Sequence, residues 1–414
     1  MMDMTEKKQK ISEKEDHVSL GKKLDIFVQS PEVGRGLPLL TPKGAMIKMI
    51  LKRFVEDEEL KRGYQLTDTP VLTRTELYKI SGHLDLYRDS MFVFEIDGEE
   101  FALRPMTCPH QFMIYNSRPR SYRELPIRYA EMADLFRKEQ SGELHGLVRI
   151  WQFMLADAHI ICTPEQVEKE FEDVFELITY IMDSLGFTDY WYRFSKWDPK
   201  KKEKYIDNPE AWEKSETMMK KILDKLKLKY EEVVGDAAFY GPKLDVQMKN
   251  VHGKEDTLFT IQIDFALPER FKMTYRGEDN KQHTPIIIHR SSIGCLERTI
   301  AFLLEQYQGE LPVWLSPIQV RMLSFTDRNI GYSKKISESL RKFGIRVDED
   351  YESDTMSSKV MAAELQKIPY IITCGDKEEE KETLAVRGRD GKVKFNVKPE
   401  DFIKQILKEI KDKK

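Results

Sequence analysis

At LPVWLSPIQV, residues 311–320, the residue pattern changes kind. Beyond it, strand-like and helical runs follow one another: IQVRMLSF, KKISESLRKFG, RVDED, SSKVMAAELQK and PYIITCG, then TLAVRG, VKFNV and the helical DFIKQILKEIKDKK. Strands alternating with helices imply a small α/β domain with a largely parallel sheet. Before the break, MFVFEIDGEEFALRP, LPIRYAEMADLFRKE and GLVRIWQFMLADAHII are short strand-like runs separated by Gly- and Pro-bearing turns, the pattern of antiparallel sheet. A chain of 414 residues exceeds the usual single-domain range. The boundary is therefore set near Pro317, giving a charged tail over residues 1–15, a large domain over 16–316 and a small one over 317–414.

Within the large domain, Met46, Ile47, Ile50, Leu51, Phe54 and Val55 recur at helical spacing, and Gly63 suits the end of that helix. QLTDTPVLTRTELY reads as a strand interrupted by Pro70, which cannot donate to a ladder and belongs at an edge or interface. VEKEFEDVFELITYIMDSLGF and EAWEKSETMMKKILDKLKL have helical periodicity. KLDVQMKNV, TLFTIQIDFAL and KMTYRGED return to strand, and PIIIHRSSIGCLERTIAFLLEQY is a strand running into a helix.

Bulk properties exclude several classes. No run approaches the ~18 apolar residues of a membrane-spanning helix. MMDMTEKKQKISEKED mixes both charge signs without an apolar stretch, so it reads as neither a secretory signal nor a transit peptide, and a cytoplasmic location is expected. A net charge of −4 makes the chain no polycation, although RNA binding requires only a local basic surface. Cys108, Cys162, Cys295 and Cys374 form no CxxC pair and read as free thiols or metal ligands rather than a disulfide framework.

The most informative segment is FRKEQSGELHGLVRIWQF, residues 136–153. Arg137 and Glu139 lie two apart on an expected strand, and Arg149 and Phe153 four apart on the expected returning strand, so each pair shares a face. Two arginines, an aromatic ring and a carboxylate suit a nucleotide: cations for phosphates, a ring for the base, a carboxylate for the exocyclic amine. The alternative is a surface hairpin with ordinary ion pairs. IGCLERTIAFLL adds Gly294 at a strand-to-helix junction, where backbone or ligand can approach closely, and Arg298 in the helix's first turns, within reach of a triphosphate. An exposed salt-bridging arginine is the competing role for Arg298.

These segments resemble the class II aminoacyl-tRNA synthetases and, within them, the threonyl-tRNA synthetase family. TPVL resembles motif 1, FRKE…RIWQF motif 2 and GCLER motif 3. RPMTCPH, SYRELPIR, SGELHGL, DAHIICTPEQ, AFYGPK, IQIDFALPERF and VWLSPIQV are similar to the threonyl enzymes, in order, from about residue 16 to the C-terminus. The resemblance implies an α+β fold: a catalytic domain on a six- or seven-stranded antiparallel sheet over residues 16–316, then a small α/β anticodon-binding domain over 317–414. It implies threonine–tRNA ligase activity with Mg·ATP, tRNA(Thr) as partner, and a homodimer whose interface includes the motif 1 helix and proline strand.

The same resemblance carries over site residues. Cys108 in MTCPH, His159 in DAHI and His289 in IIIHR become zinc ligands. Their spacing matches no zinc finger and would by itself leave them as buried core residues, yet one cysteine and two histidines suit Zn²⁺ and leave a position open for substrate. Such a metal has a purpose: an apolar pocket distinguishes threonine from valine by only about a hundredfold, whereas coordination makes the hydroxyl obligatory. Asp157, Tyr240, Lys243 and Gln262 become threonine-pocket residues, with Asp157 the acceptor for the hydroxyl. Arg137 holds the α-phosphate and carboxylate, Phe153 stacks adenine, and Glu139, Arg149 and Arg298 complete the ATP site. Glu378 and Arg387 in CGDKEEEKETLAVRGRDGK read anticodon bases, or else belong to an exposed hairpin with solvated charges.

The sequence departs from the family at Trp151, commonly arginine, Met154, commonly threonine, and Leu155, often glutamine. Phe259 replaces a small residue, Cys295 a serine, and Glu352-Ser353 an Arg-Asn-like pair. Met154 and Leu155 bear on pocket volume and polarity, and Glu352-Ser353 on anticodon discrimination. Family members usually carry an N-terminal editing domain that removes mischarged serine. This chain starts almost at the catalytic domain, so it is expected not to edit in cis. Two rival functions remain: a synthetase paralogue for another small or β-hydroxy amino acid, and a non-catalytic RNA-binding relative.

Overall fold

The computed structural model describes residues 14–414, so most of the charged tail lies outside the described residues. Two compact units are formed by the described residues, one from 31–37 and 52–299, the other from 14–30, 38–51 and 300–414. No helix among the described residues is long and apolar enough to cross a membrane.

The larger unit is built on an eight-stranded sheet. Its strands are β1 (Gln65–Leu66), β2 (Ile127–Phe136), β3 (Gln152–Cys162), β4 (Trp191–Lys196), β5 (Tyr230–Val234), β6 (Lys243–Lys249), β7 (Glu255–Asp264) and β8 (Ile286–Cys295). The order is β5-β4-β6-β7-β8-β3-β2-β1. The six central strands pair antiparallel throughout, as the sequence pattern suggests. Each edge then adds one strand in parallel, β5 on β4 and β1 on β2. These parallel strands, and β4 itself, are too short or too polar for periodicity to reveal. The motif 1-like QLTDTPVLTRTELY becomes the edge strand β1, an irregular passage through Pro70, and a second short strand, Leu72–Arg74, in a separate three-stranded sheet.

Among the helices of this unit are α1 (Cys108–Asn116) and α2 (Val167–Leu185), and it also holds the first turn of α3 (Leu296–Tyr307). In α2, Val167, Phe171, Val174, Ile178, Ile181 and Leu185 are buried at i, i+3 and i+4 spacing and pack on β8. Each contributes on the order of 2 kcal/mol on removal from water. Gly186, left-handed at φ 72°, ends the helix by donating to Met182 and Asp183 carbonyls. Helix α1 was not expected. MTCPHQFMIYN lacks a clean amphipathic period because it is buried almost all round.

A buried ion pair ties β8 to the preceding helix, Pro42–Lys61. Arg290 Nη1 donates to Glu59 Oε1 at 2.6 Å and lies over the Tyr64 ring, its carbon 4.3 Å from the centroid, while Ser292 Oγ donates to the same carboxylate. Both charged side chains are almost wholly buried. Glu59→Ala strands the guanidinium without a counter-charge and is expected to cost about 3–5 kcal/mol. Denaturant unfolding reads this directly, and a loss under about 1 kcal/mol would contradict it.

The second unit holds β9 (Val320–Ser324), α4 (Ile330–Lys342), β10 (Val347–Asp350), α5 (Met356–Leu365), β11 (Tyr370–Cys374), α6 (Asp376–Lys381), β12 (Leu384–Gly388), β13 (Val393–Val397) and α7 (Pro399–Lys411). Strand order is β10-β9-β11-β12-β13. β9 pairs parallel with β10 and β11, whereas β11-β12-β13 is antiparallel. The sheet is thus evenly mixed rather than largely parallel, because only the first three strands are joined by helical crossovers long enough to return the chain in the same direction. Val320, Met322, Ile336, Leu340, Ile372, Val386, Phe402 and Ile406 form its core.

Candidate active site and metal centre

The register of the large sheet lines up residues far apart in sequence. Lys243 pairs with Gln262, Gln262 with His289, and His289 with His159, one row across four strands. Two residues along, on the same face, a second row runs Asp245, Thr260, Ser291, Asp157 and Glu131. Helix α1 brings Cys108 to this face from its first turn. One ligand atom from each of Cys108, His159 and His289 lies within 4.8 Å of the others, and all three residues are buried.

This donor set fits a metal. His289 Nε2 is engaged by Asp264 Oδ2 at 2.8 Å and His159 Nδ1 by Gln111 Oε1 at 2.5 Å, so each imidazole keeps one nitrogen for a ligand. Burial lowers the His159 pKa well below its ordinary value and keeps the ring neutral, the form that coordinates. Burial also pushes the Cys108 thiol well up, followed by the nearby Asp157 and Asp264 charges. A cation beside it opposes that shift and stabilises the thiolate. Three protein ligands leave a fourth position open.

The cluster lies in a cavity of about 340 Å³. Lining it are Cys108, Arg137, Glu139, Arg149, Phe153, Asp157, His159, Tyr240, Lys243, Gln262, His289 and Arg298, every large-domain residue to which the resemblance assigns a metal, amino-acid or ATP role, whereas Met154, expected to bear on the pocket, is not among the lining residues. The Tyr240 ring stacks on His289, centroids 4.7 Å apart, and its hydroxyl donates to Gln262 Oε1. Burial works against the Lys243 charge, but Asp245, 2.7 Å away, and Asp236 outweigh it and raise its pKa. At Asp157 burial prevails and raises the carboxyl pKa, with His289 opposing.

At the other end, Arg137 Nε donates to the Pro105 carbonyl (3.2 Å), and its guanidinium carbon is 5.2 Å from the Phe153 centroid. Arg149 Nη1 bonds Glu139 Oε2 at 3.3 Å. Arg298 is clamped by the Val148 and Thr257 carbonyls at 3.1 and 2.7 Å. Gly294 sits at φ 69°, and a Cβ there would meet the Leu258 carbonyl oxygen at 1.9 Å, so only glycine allows the strand to turn into α3 beside Arg298.

Three placements differ from expectation. Arg137 and Glu139 lie just past the end of β2, and Arg149 lies before β3 begins, so a non-strand segment rather than strand alternation aims them. Trp151 holds that segment: its Nε1 donates to the Glu139 carbonyl at 2.9 Å, and its backbone N–H donates to Gly36. Glu378 and Arg387 are not engaged with each other. Glu378 Oε2 accepts the Gly375 N–H (3.1 Å) at the start of α6, and Arg387, on β12, bonds the Gly391 carbonyl and pairs with Glu364 at 3.5 Å.

His83 lines the cavity and was not singled out. Its Nδ1 lies 2.7 Å from Ser81 Oγ, whose own proton goes to the Tyr78 carbonyl, so Nδ1 is the donor and Nε2 is left unprotonated. Burial presses its pKa down to about 3. It follows Gly82, which is left-handed at φ 82°, at the start of a short helix.

Comparisons with known proteins agree with this arrangement. Residues 92–307 match the tRNA synthetase class II core domain (G, H, P, S and T), and residues 316–409 match an anticodon binding domain. Threonine–tRNA ligases of Clostridium botulinum and Clostridium perfringens are 53% and 52% identical, over 97% and 96% of this chain. The chain spans 63% of the length of each. The crystal structure of the RNA binding domain of threonyl-tRNA synthetase from Cryptosporidium parvum superposes with a TM-score of 0.90 at 34% identity, covering 95% of this chain and 98% of that one. On the strength of this structural relative, the class II core match and the cavity residues, the chain belongs to the threonyl-tRNA synthetase family of class II aminoacyl-tRNA synthetases.

Proposed function

We propose that this chain is the catalytic and anticodon-binding part of a threonine–tRNA ligase, with residues 16–316 activating threonine and 317–414 reading tRNA(Thr). The observation that carries this reading is the metal-fitting Cys108, His159 and His289 cluster in one cavity with Arg137, Phe153 and Arg298. Cys108, His159 and His289 would hold Zn²⁺ there, and the ion would supply Lewis-acid recognition of the polar groups of a β-hydroxy amino acid. Asp157 accepts the hydroxyl proton, while Tyr240, Lys243 and Gln262 enclose the amino acid. Phe153 stacks adenine, Glu139 accepts from its exocyclic amine, and Arg149 and Arg298 hold the phosphates of Mg·ATP. Arg137 bridges the α-phosphate and the attacking carboxylate. Activation then needs positioning and charge neutralisation rather than a protein nucleophile.

Amino-acid-dependent pyrophosphate exchange tests this across a panel. Threonine is expected to be best. Serine, which keeps amine and hydroxyl, should trail by about 10–200-fold for its missing methyl, and valine, which loses the hydroxyl, by about 10⁴-fold or more. Valine within about a hundredfold of threonine would remove the reason for a metal. Phe259 and Leu155, apolar and lining the cavity, favour a second reading, a paralogue for another β-hydroxy amino acid, which the same panel detects.

Glu378 and Arg387 are assigned to anticodon bases, a role supported by the anticodon-domain match over 316–409. A homodimer is supported by Leu66 on the edge strand β1, 45% exposed, and by Leu72, Phe94 and Ile96 exposed on the neighbouring three-stranded sheet. Translation by such an enzyme would take place in the cytoplasm.

A further inference from the structure

The two candidate histidine ligands are braced differently. His289 Nε2 meets the Asp264 carboxylate directly, and Asp264 Oδ1 is fixed by the amides of Ala266 and Leu267. His159 has an amide in the corresponding place, Gln111, whose Oε1 lies 2.5 Å from Nδ1. Gln111 Nε2 donates to Thr67 Oγ1 at 2.8 Å, and Thr67 Oγ1 donates to Glu131 Oε2 at 3.2 Å. Glu131 also accepts from the Thr69 N–H and hydroxyl and pairs with Arg104 at 2.7 Å. Gln111, His159, Glu131, Thr69 and Arg104 are all buried.

The line has one direction. A carboxylate only accepts, so it draws the Thr67 proton. The hydroxyl oxygen then accepts from the Gln111 amide, which turns its carbonyl toward His159. Nδ1 must therefore carry the proton, which leaves Nε2 as the ligand nitrogen. Cys108 and Gln111 are three residues apart on α1, hence on one face, so the same helical turn delivers the thiol and the brace for the imidazole.

We propose that Gln111 and Thr67 are positioning residues that relay the Glu131 carboxylate to His159, doing through two intermediaries what Asp264 does for His289 by contact. The proposal rests on the zinc assignment above. A partner of this kind fixes the tautomer and strengthens the ligand, and its loss weakens metal binding about 10–100-fold.

Zinc affinity by chelator competition, on wild type, Gln111→Met and Thr67→Val, tests the relay. Methionine preserves volume and removes both hydrogen bonds; it should weaken zinc about 10–100-fold, and valine at position 67 by about tenfold, with melting of the metal-free proteins showing that each variant folds. Both variants within about twofold of wild type would overturn the relay. The imidazole nitrogen resonances of the metal-free protein give a readout that needs no zinc. His159 should be the Nδ1–H tautomer in wild type and should lose that preference in Gln111→Met. An Nε2–H tautomer in wild type overturns the relay. Absence of zinc from wild type with the expected tautomer defeats the metal assignment and leaves the relay standing.

Discussion

Cys108→Ala is expected to release the bound metal and to reduce threonine-dependent pyrophosphate exchange by roughly three to four orders of magnitude, several kcal/mol of lost recognition. The size follows from geometry. Cys108 is the only sulfur donor in the cluster, and it is buried with His159 and His289, so no water-exposed substitute can take its place. Two imidazoles alone hold Zn²⁺ weakly, and without it Asp157 is the one group assigned to the substrate hydroxyl. Metal content and exchange should fall together, while Tm of the metal-free protein changes little, since removing one small side chain opens only a small space. Full threonine activation by a zinc-free Cys108→Ala protein would refute the metal's role in recognition.

Arg137→Ala should lower the rate of adenylate formation by about 10²–10³-fold, the usual cost of removing one preorganised charge from a developing anion. Arg137 reaches into the cavity between the Pro105 carbonyl, which fixes its Nε, and the Phe153 ring. That mooring leaves its terminal nitrogens for a phosphate and a carboxylate. Zinc content should stay at the wild-type level, because Arg137 touches none of the three ligands by hydrogen bond. KM for threonine should move far less than kcat, which separates this variant from Cys108→Ala. Stopped single-turnover kinetics reads the chemical step itself, and a fall of less than about tenfold would reassign Arg137 to binding alone.

Some of the fold was legible because its signals are local. Five of the antiparallel strands, β2, β3, β6, β7 and β8, and helix α2 are legible in the letters alone, and Gly186 marks where α2 stops. The parallel edge strands β1 and β5 were not legible, since a two-residue strand has no period and Tyr230–Val234 is interrupted by the adjacent Glu231 and Glu232. Helix α1 was missed for the opposite reason: buried on nearly every side, it has no polar face to betray a helical repeat. Likewise Arg137, Glu139 and Arg149 line the cavity from a segment outside the strands on which they are expected. Trp151 and the segment it anchors aim them, a contact that strand alternation does not anticipate.

Residue letters establish which residue types are present that can carry a metal, a phosphate or a ring stack, and which family's ordered motifs contain them. Whether those residues meet was decided only by tertiary structure. Lys243, Gln262, His289 and His159 form one row because four strands pair in a particular register, and a slip of one residue would turn each of them to the opposite face. The brace behind His159 and the presence of His83 beside the cluster likewise depend on packing between segments distant in the chain. Periodicity reports a segment's own conformation. Register and convergence arise from long-range pairing, which leaves no mark in any single stretch of sequence.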